Sequence, residues 1–261
     1  MRALSIAATG MEAQQTRVEV ISNNLANMNT TAYAPRRAEF ADLHYQQVAR
    51  PGTVTAANGT ELPTGIQLGL GARVEAISVE RSQGALRQTS GTLDVAIEGR
   101  GFLEITLPDG SAAYTRDGGL KRSGEGQIVT SEGFSIVPDL VIPDEAQDIE
   151  INAEGEVYVF FNGATAPELL GQITLTTFPN NSGLQALGGN LFAETEASGA
   201  PTVGAPGEQG RGTLRQGFLE ESGVDSVREM TDLIEAQRGY ELNAKVLSAA
   251  DQMLAATAQV R

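Results

Sequence analysis

The chain has 261 residues, 41% of them hydrophobic, which is enough for one large domain or roughly two to three small ones, each with a core. Its 33 acidic and 18 basic side chains give a net charge of −15, which argues against partners such as nucleic acid or anionic lipid. The absence of Cys excludes disulfides, thiolate nucleophiles and Cys-based zinc sites. No apolar run reaches the roughly 18 residues of a membrane-spanning helix.

The N-terminal segment is predicted to form an amphipathic helix. Its apolar residues recur every seven positions, which is the spacing of a helix that packs against another helix. The stripe consists of Leu4, Met11, Val18 and Leu25, with Ala7, Ala8 and Ile21 beside them. The helix is expected to end around residues 27–30, where Asn and Thr compete for backbone hydrogen bonds. The apolar run 3–8 is too short for a secretory leader, so any export is expected to proceed without a cleaved one.

The middle of the chain, roughly residues 33–219, is predicted to be rich in β-strands. Alternating apolar residues indicate strands at 103–107, 156–161 and 172–178, and Gly-containing turns separate them. Residues 50–71 are rich in Gly, Pro and Thr and lack periodicity, so they are predicted to form an extended arm or long loop. A second loop of this kind is predicted at 198–212.

The C-terminal segment is predicted to form a second amphipathic helix. Ser226 and Glu229 fit a capping box at its start. Its apolar stripe, again with a spacing of seven, consists of Leu233, Tyr240, Leu247 and Leu254, with Ala236, Ala244 and Ala250 beside them. Neither stripe is wide enough for its helix to fold alone. The two helices therefore either pair as a coiled coil or pack as surface helices on the β domain, and the sequence leaves both alternatives open.

These patterns predict an α+β protein with three parts. Residues 1–30 and 226–261 form a terminal helical domain, and residues 31–70 and 213–225 form a linker and extended arm region. Residues 71–212 form an all-β domain. The three parts are predicted from the distribution of helical and β-prone segments alone.

The chain offers no pattern typical of an enzyme. His44 is the only His, so a catalytic triad or a His-based metal cluster would depend on it, and no Gly-x-Ser-x-Gly motif accompanies it. The acidic pairs 144–145 and 220–221 lack a spacing that specifies acid–base chemistry, and the Gly pairs at 69–71 and 99–101 are not phosphate loops. We therefore predict no catalytic residue, no cofactor and no metal site.

Five segments resemble the flagellar rod and hook protein family. The first, residues 23–33, contains an intact Asn-Asn-Leu-Ala-Asn core, and the others are residues 93–102, 114–118, 215–220 and 235–241. Together they extend the resemblance over essentially the whole chain. The sequence departs from the family pattern at Ala32, where the family usually has Gly, and at Ala34, where it usually has Lys.

The resemblance implies a structural, self-assembling subunit and not an enzyme. In this family both terminal helices form an inner coiled coil that lines a narrow export channel, the β domain lies outside, and copies stack helically into a hollow shaft that transmits torque across the periplasm. The implied partners are further copies of the chain, proximal rod proteins, hook protein, the surrounding P and L rings, and the type III export apparatus, without nucleic acid. The stripes and the Asn-rich motif nominate an assembly interface: Leu4, Met11, Val18, Ile21, Leu25, Asn23, Asn24, Asn27, Leu233, Tyr240, Leu247 and Leu254.

Two alternatives remain from the sequence. The first is another member of the same family, either a proximal rod protein or the longer hook protein. The length of the chain and the arm at 50–71 instead favour a subunit of the distal part of the rod. The other alternative is a secreted β-domain enzyme or carbohydrate-binding protein, which the single His and the absence of Cys and Trp make less favourable.

Overall fold

The structure is a computed structural model that describes residues 2–49, 64–162 and 166–259. The chain divides into two compact units. The first, here called the helical unit, draws on Met1–Ala26, Arg36–Glu80 and Asp225–Arg261. The second, here called the β unit, draws on Asn27–Pro35 and Arg81–Val224. The helical unit is therefore assembled from both ends of the chain, and the β unit from its middle.

The elements follow one another as two terminal helices that enclose short strands. The helices are α1 (Arg2–Ala26) and α2 (Ser226–Gln259). The strands of the helical unit are β1 (Arg36–Asp42), β2 (Tyr45–Ala49), β3 (Ile66–Gly69) and β4 (Ala72–Val79). Those of the β unit are β5 (Leu86–Gln88), β6 (Val95–Glu98), β7 (Leu103–Thr106), β8 (Ala112–Thr115), β9 (Lys121–Arg122), β10 (Ile128–Val129), β11 (Ser135–Ile136), β12 (Ala146–Ile151), β13 (Glu156–Phe161), β14 (Glu168–Gln172), β15 (Leu175–Thr177), β16 (Gln185–Gly188), β17 (Leu191–Ala193), β18 (Thr202–Gly204), β19 (Thr213–Gln216) and β20 (Phe218–Glu220).

The two helices pack against each other within one chain, which confirms the predicted α+β fold with paired terminal helices. They run antiparallel, because Gly10 lies beside Asn243 and Gln14, one turn further along α1, lies beside Gly239. The helix α1 ends at Ala26, directly before the Asn and Thr residues that were predicted to stop it. The alternative in which both helices pack separately on the β domain is therefore not adopted.

The start of α2 differs from its predicted cap. The backbone N–H groups of Val227 and Arg228 donate to Oδ1 of Asp225 over 3.0 and 3.3 Å, so Asp225 caps the helix. Ser226 is instead the first helical residue, and the Glu229 carboxylate accepts a hydrogen bond from another part of the helical unit. The predicted capping box was wrong by one residue because Asp and Ser are equally good caps, and sequence alone does not rank them.

Two antiparallel ribbons complete the helical unit. The strand β1 pairs with β4, and both contact α1. The loop at Gly71 approaches α1 so closely that a Cβ there would lie 2.1 Å from Oγ1 of Thr9. The strand β2 pairs with β3, so the described part of the predicted arm, residues 64–71, contains a strand where a long loop without periodicity was predicted. Residues 50–63 of the arm lie outside the described residues.

Short antiparallel strands surround one main apolar core in the β unit. In the described ranges the largest sheet has the order β16-β17-β8-β7-β11-β10-β9, and β12-β13-β14 form a second sheet. Alternation sets the direction of the side chains: Leu103 and Ile105 on β7 and Val157 and Val159 on β13 are buried. A smaller aromatic cluster contains Phe102, Tyr114 and Phe178, whose rings meet edge to face. The predicted strands at 103–107 and 156–161 are thus present.

Two predicted segments are corrected by the structure. The strand predicted at 172–178 is broken: β14 ends at Gln172 in one sheet, and β15 begins at Leu175 and pairs with β18. The loop predicted at 198–212 contains the short strand β18. In each case the pairing partner along a distant part of the chain decides the conformation, and local alternation does not reveal that partner.

Ala32 adopts a backbone conformation that favours glycine. Its φ is +54°, and its N–H donates to the carbonyl of Glu220 over 2.9 Å. A left-handed conformation costs a residue with a Cβ about 1–2 kcal/mol. This is the position at which the family usually has Gly, so the special conformation is present here despite the alanine.

We expect Ala32→Gly to raise the unfolding free energy of the β unit by about 1 kcal/mol, because glycine adopts a positive φ without the steric penalty. Thermal unfolding followed by circular dichroism measures the change. Ala34→Gly is the matched control: it lies in the same loop without a positive φ and is expected to lower stability slightly, through the greater entropy of the unfolded chain. A lower melting temperature for Ala32→Gly would contradict the assigned strain.

Candidate assembly surface

The seam between α1 and α2 is built from small side chains. The small residues Ala7 and Ala13 on α1 are buried, as are Ala236 and Ala250 on α2. A Cβ on Gly10 would lie 3.0 Å from Nδ2 of Asn243. Small residues let the two helix backbones approach closely, and each helix then buries a narrow face against the other.

A charged contact fixes the middle of the seam. One terminal nitrogen of Arg17, Nη2, donates to Oδ1 of Asp232 at 3.0 Å and to Oε2 of Glu235 at 3.1 Å. The Arg17 side chain is half-buried, so it bridges two carboxylates that lie on neighbouring positions of α2. The antiparallel register of the helices is thereby held by charge as well as by packing.

Asn24 connects three elements at the end of the helical pair. Its Nδ2 donates to the carbonyl of Arg36 at 2.8 Å and to Oε1 of Glu229 at 3.1 Å, and its Oδ1 accepts from the N–H of Arg36 at 2.9 Å. Burial raises the pKa of Glu229 above its ordinary value, while the hydrogen bond from Asn24 lowers it. Asn24 is itself 1% exposed, so the described contacts of its amide are made inside one chain.

The residues predicted from the sequence to form the assembly interface differ in their solvent exposure. Ile21 and Asn24 are buried; Leu4, Met11, Val18, Leu25, Asn27, Leu233 and Leu247 are half-buried; Asn23, Tyr240 and Leu254 are exposed. All except Asn27, which belongs to the β unit, lie in the helical unit. The α2 stripe of Leu233, Tyr240, Leu247 and Leu254 therefore lies at the side of the seam, whose centre is formed by Ala236, Asn243 and Ala250.

A second apolar surface on α2 was missed in the sequence. It consists of Val227, Met230, Ile234, Leu242, Val246 and Met253, each half or more exposed, and is here called the outer apolar face. At about 100° per residue these side chains cover an arc of ~160° on the side opposite Ala236 and Ala250. The sequence does contain a signal for this surface, because α2 carries apolar residues outside its heptad stripe. A heptad search discards them, although exposed apolar patches are typical of protein contacts.

The described residues give no indication of a reactive centre. His44 is exposed in the link between β1 and β2. Across residues 2–49, 64–162 and 166–259, no three His, Cys, Asp or Glu side chains are grouped so that they could hold a metal ion. Neither helix in the described part of the chain is long and apolar enough to cross a membrane.

Three family models match segments of the chain. The model described as "Flagella basal body rod protein" matches residues 4–33, at the N-terminal helix. The "Flagellar hook protein FlgE/F/G D1 domain" matches residues 96–159, in the β unit. The "Flagellar basal body rod FlgEFG protein C-terminal" matches residues 215–260, which include α2. The matches therefore extend to both helices and to the β unit.

Curated relatives match along the full length. The flagellar basal-body rod protein FlgG of Caulobacter vibrioides is 50% identical over 100% of both chains. The protein of the same name from Agrobacterium fabrum is 48% identical over 97% of both chains. That of Bacillus subtilis is 36% identical over 97% of both chains. Identity at this level over the whole length extends to the helices and to the β unit alike.

Proposed function

Because this chain belongs to the flagellar basal-body rod protein family, we propose that it builds the distal part of the rod as a helical polymer of its own copies. The chain is a structural component of the flagellum, located in the basal body, and its family is not one of enzymes. Its activity is therefore association, and motility depends on it. The alternative of a secreted β-domain enzyme is wrong, because the chain belongs to a structural family.

The outer apolar face carries the proposal. The two helices already bury a face against each other within one chain, and this pairing does not account for apolar side chains on the outside of α2. Val227 and Met253 are nevertheless 73% and 65% exposed. Burial of one such side chain contributes roughly 1.5–3 kcal/mol, so several of them on each copy supply a substantial driving force for stacking. Neighbouring copies of the helical unit would cover this face.

We propose that the interface residues predicted from the sequence lie at the edges of this contact between copies. Tyr240 and Leu254 lie beside the seam and are exposed, so they are available to a neighbouring copy together with the outer apolar face. The half-buried Leu233 and Leu247 would complete the border between copies. The paired helices would then line a central export channel, with the β unit as the outer layer, and many such contacts would give the shaft the stiffness to transmit torque.

A position in the distal rod implies specific neighbouring proteins. The polymer would continue from proximal rod proteins at one end and meet hook protein at the other, with the P and L rings around it as it crosses the periplasm. Copies would reach the growing end through the type III export apparatus. The net charge of −15 gives no support to a nucleic-acid partner.

We expect Ile234→Asp to abolish polymerisation, because a carboxylate on the outer apolar face would be buried without a counter-ion between copies. Electron microscopy of concentrated protein should show rods for the wild type and none for the variant, and cells with the variant should not swim. Ser131→Asp is the control, since it adds the same charge at an exposed turn position of the β unit, outside the outer apolar face, and should still form rods. Normal rods from Ile234→Asp, or persistent wild-type monomers, would contradict the proposed function.

A further inference from the structure

The β unit contains a cavity of about 570 Å³. Its volume falls in the range of roughly 300–1,000 Å³ that is common for ligand pockets. Its walls combine aromatic rings with cationic groups: Phe102, Phe178, Phe192, Arg81, Arg100 and Arg116. This combination suits an anionic group with some apolar surface next to it.

Arg116 is fully engaged within the chain. It donates to Oε2 of Glu220 at 2.8 Å and to the backbone carbonyls of residues 97, 99 and 101. Glu220 is 5% exposed, and its other carboxylate oxygen accepts from the N–H of Gly84 at 2.9 Å. The buried Glu220 carboxylate therefore neutralises Arg116, and its described hydrogen bonds go to Arg116 and Gly84 and not to Arg81.

Arg81 lines the same cavity without such a partner. Its Nε and Nη2 are buried, and no hydrogen-bond acceptor reaches them from the described residues. Burial, and secondarily the nearby Arg116, lower the pKa of Arg81 to about 10, and no carboxylate offsets them. A buried donor without an acceptor is costly, so this arrangement points to a missing anion.

Two aromatic rings hold the Arg81 guanidinium in place. Its central carbon lies 4.5 Å from the ring centroid of Phe192 and 5.5 Å from that of Phe102. The two ring contacts hold the guanidinium in the cavity, and a planar guanidinium matches the two oxygens of a carboxylate. The group is thus positioned before any ligand arrives.

We propose that this cavity receives an acidic side chain from a second copy of the chain, whose carboxylate pairs with Arg81. The inference rests on the proposed polymerisation, in which each copy is surrounded by others. Charge complementarity identifies the occupant: the chain has 33 acidic and 18 basic residues, so the surface of a neighbouring copy is rich in carboxylates. The contact joins β units and is separate from the outer apolar face of α2.

The test compares the critical concentration for polymerisation, measured by sedimentation, among variants that melt like the wild type. Arg81→Met should raise it roughly tenfold or more, because a charge-assisted pair is lost at every contact. Arg81→Lys keeps the charge and should be intermediate. Lys121→Met is the matched control: it removes one positive charge from an exposed position of the β unit outside the cavity and should have little effect.

A second measurement examines the cavity without polymerisation. Glutarate is titrated into the non-assembling Ile234→Asp protein, and the ring resonances of Phe192 are followed by NMR, with glutaramide as the uncharged probe. Saturable shifts with glutarate, absent with glutaramide and absent in Ile234→Asp/Arg81→Met, are expected.

The outcomes separate this inference from the proposed function. Wild-type rods together with an unchanged critical concentration for Arg81→Met would overturn the inference and leave the polymer intact. If glutarate binds through Arg81 while that critical concentration is unchanged, the site serves a free anion, and the second copy is the wrong occupant. The absence of wild-type rods would contradict the proposed function itself. The absence of any Arg81-dependent shift would overturn the carboxylate site.

Discussion

Gly118→Ala is expected to prevent stable folding of the β unit. A Cβ on Gly118 would lie 1.6 Å from the carbonyl oxygen of Val95 and 2.7 Å from its carbonyl carbon, and both belong to backbone that cannot rotate away. Val95 is fully buried in the main core, and its N–H donates to the carbonyl of Gly118 at 3.0 Å. To admit one methyl group, the two backbone segments would have to separate and lose that hydrogen bond. We expect the unfolding free energy to fall by at least about 4 kcal/mol.

Chemical unfolding followed by circular dichroism measures this loss. Gly124→Ala is the matched control, because nothing lies within 4 Å of the position of its Cβ and its φ is not in the left-handed region. The control is expected to change stability by about 0.5 kcal/mol or less. Cells that carry Gly118→Ala should be non-motile. Equal stability of the two variants would show that the approach of Gly118 to Val95 is not as close as the structure describes.

Ala236→Leu is expected to separate the two terminal helices. Ala236 is 0% exposed at the centre of the seam, where the close approach of the backbones leaves no volume for an isobutyl group. Overpacking of this kind costs about 1–3 kcal/mol where a core can adjust. Here the only adjustment is to move the helices apart, which would also break the contacts of Arg17 with Asp232 and Glu235.

Hydrogen exchange provides the measurement for this variant. Backbone amides in α1 and α2 should exchange much faster than in the wild type, while those of β7 and β13 should keep their protection, since their core lies in the other unit. Ala249→Leu is the control, because it makes the same change at an exposed position of α2 and the helix propensities of Ala and Leu are similar. Unchanged protection of the helices in Ala236→Leu would mean that the helices are not closely packed at this position.

The importance of Gly118 and that of Ala236 can be predicted from the sequence to different extents. Gly118 lies in a segment, residues 114–118, that already resembles the flagellar family in sequence, but the sequence gives no reason why glycine is needed there. The reason is the carbonyl of Val95, which only the folded chain brings next to it. Ala236 was recognised as a neighbour of the α2 stripe, whereas its place at the centre of the seam became visible only with α1 beside it.

The sequence by itself determined the presence of both helices, the end of α1, the β character of the middle and the resemblance to a flagellar family. These are local or compositional properties: a spacing of seven, Asn and Thr at a helix end, alternating apolar residues and recurring motifs. Tertiary structure decided which face of α2 is buried, since the apolar stripe and the small residues beside it compete for the seam. The small residues occupy its centre because they let two backbones approach closely. It also decided that Asp225 caps α2 while Glu229 binds Asn24, and that the chain changes sheets between Gln172 and Leu175. Each of these outcomes depends on a partner that is distant along the chain, and a pattern along one segment carries no information about that partner.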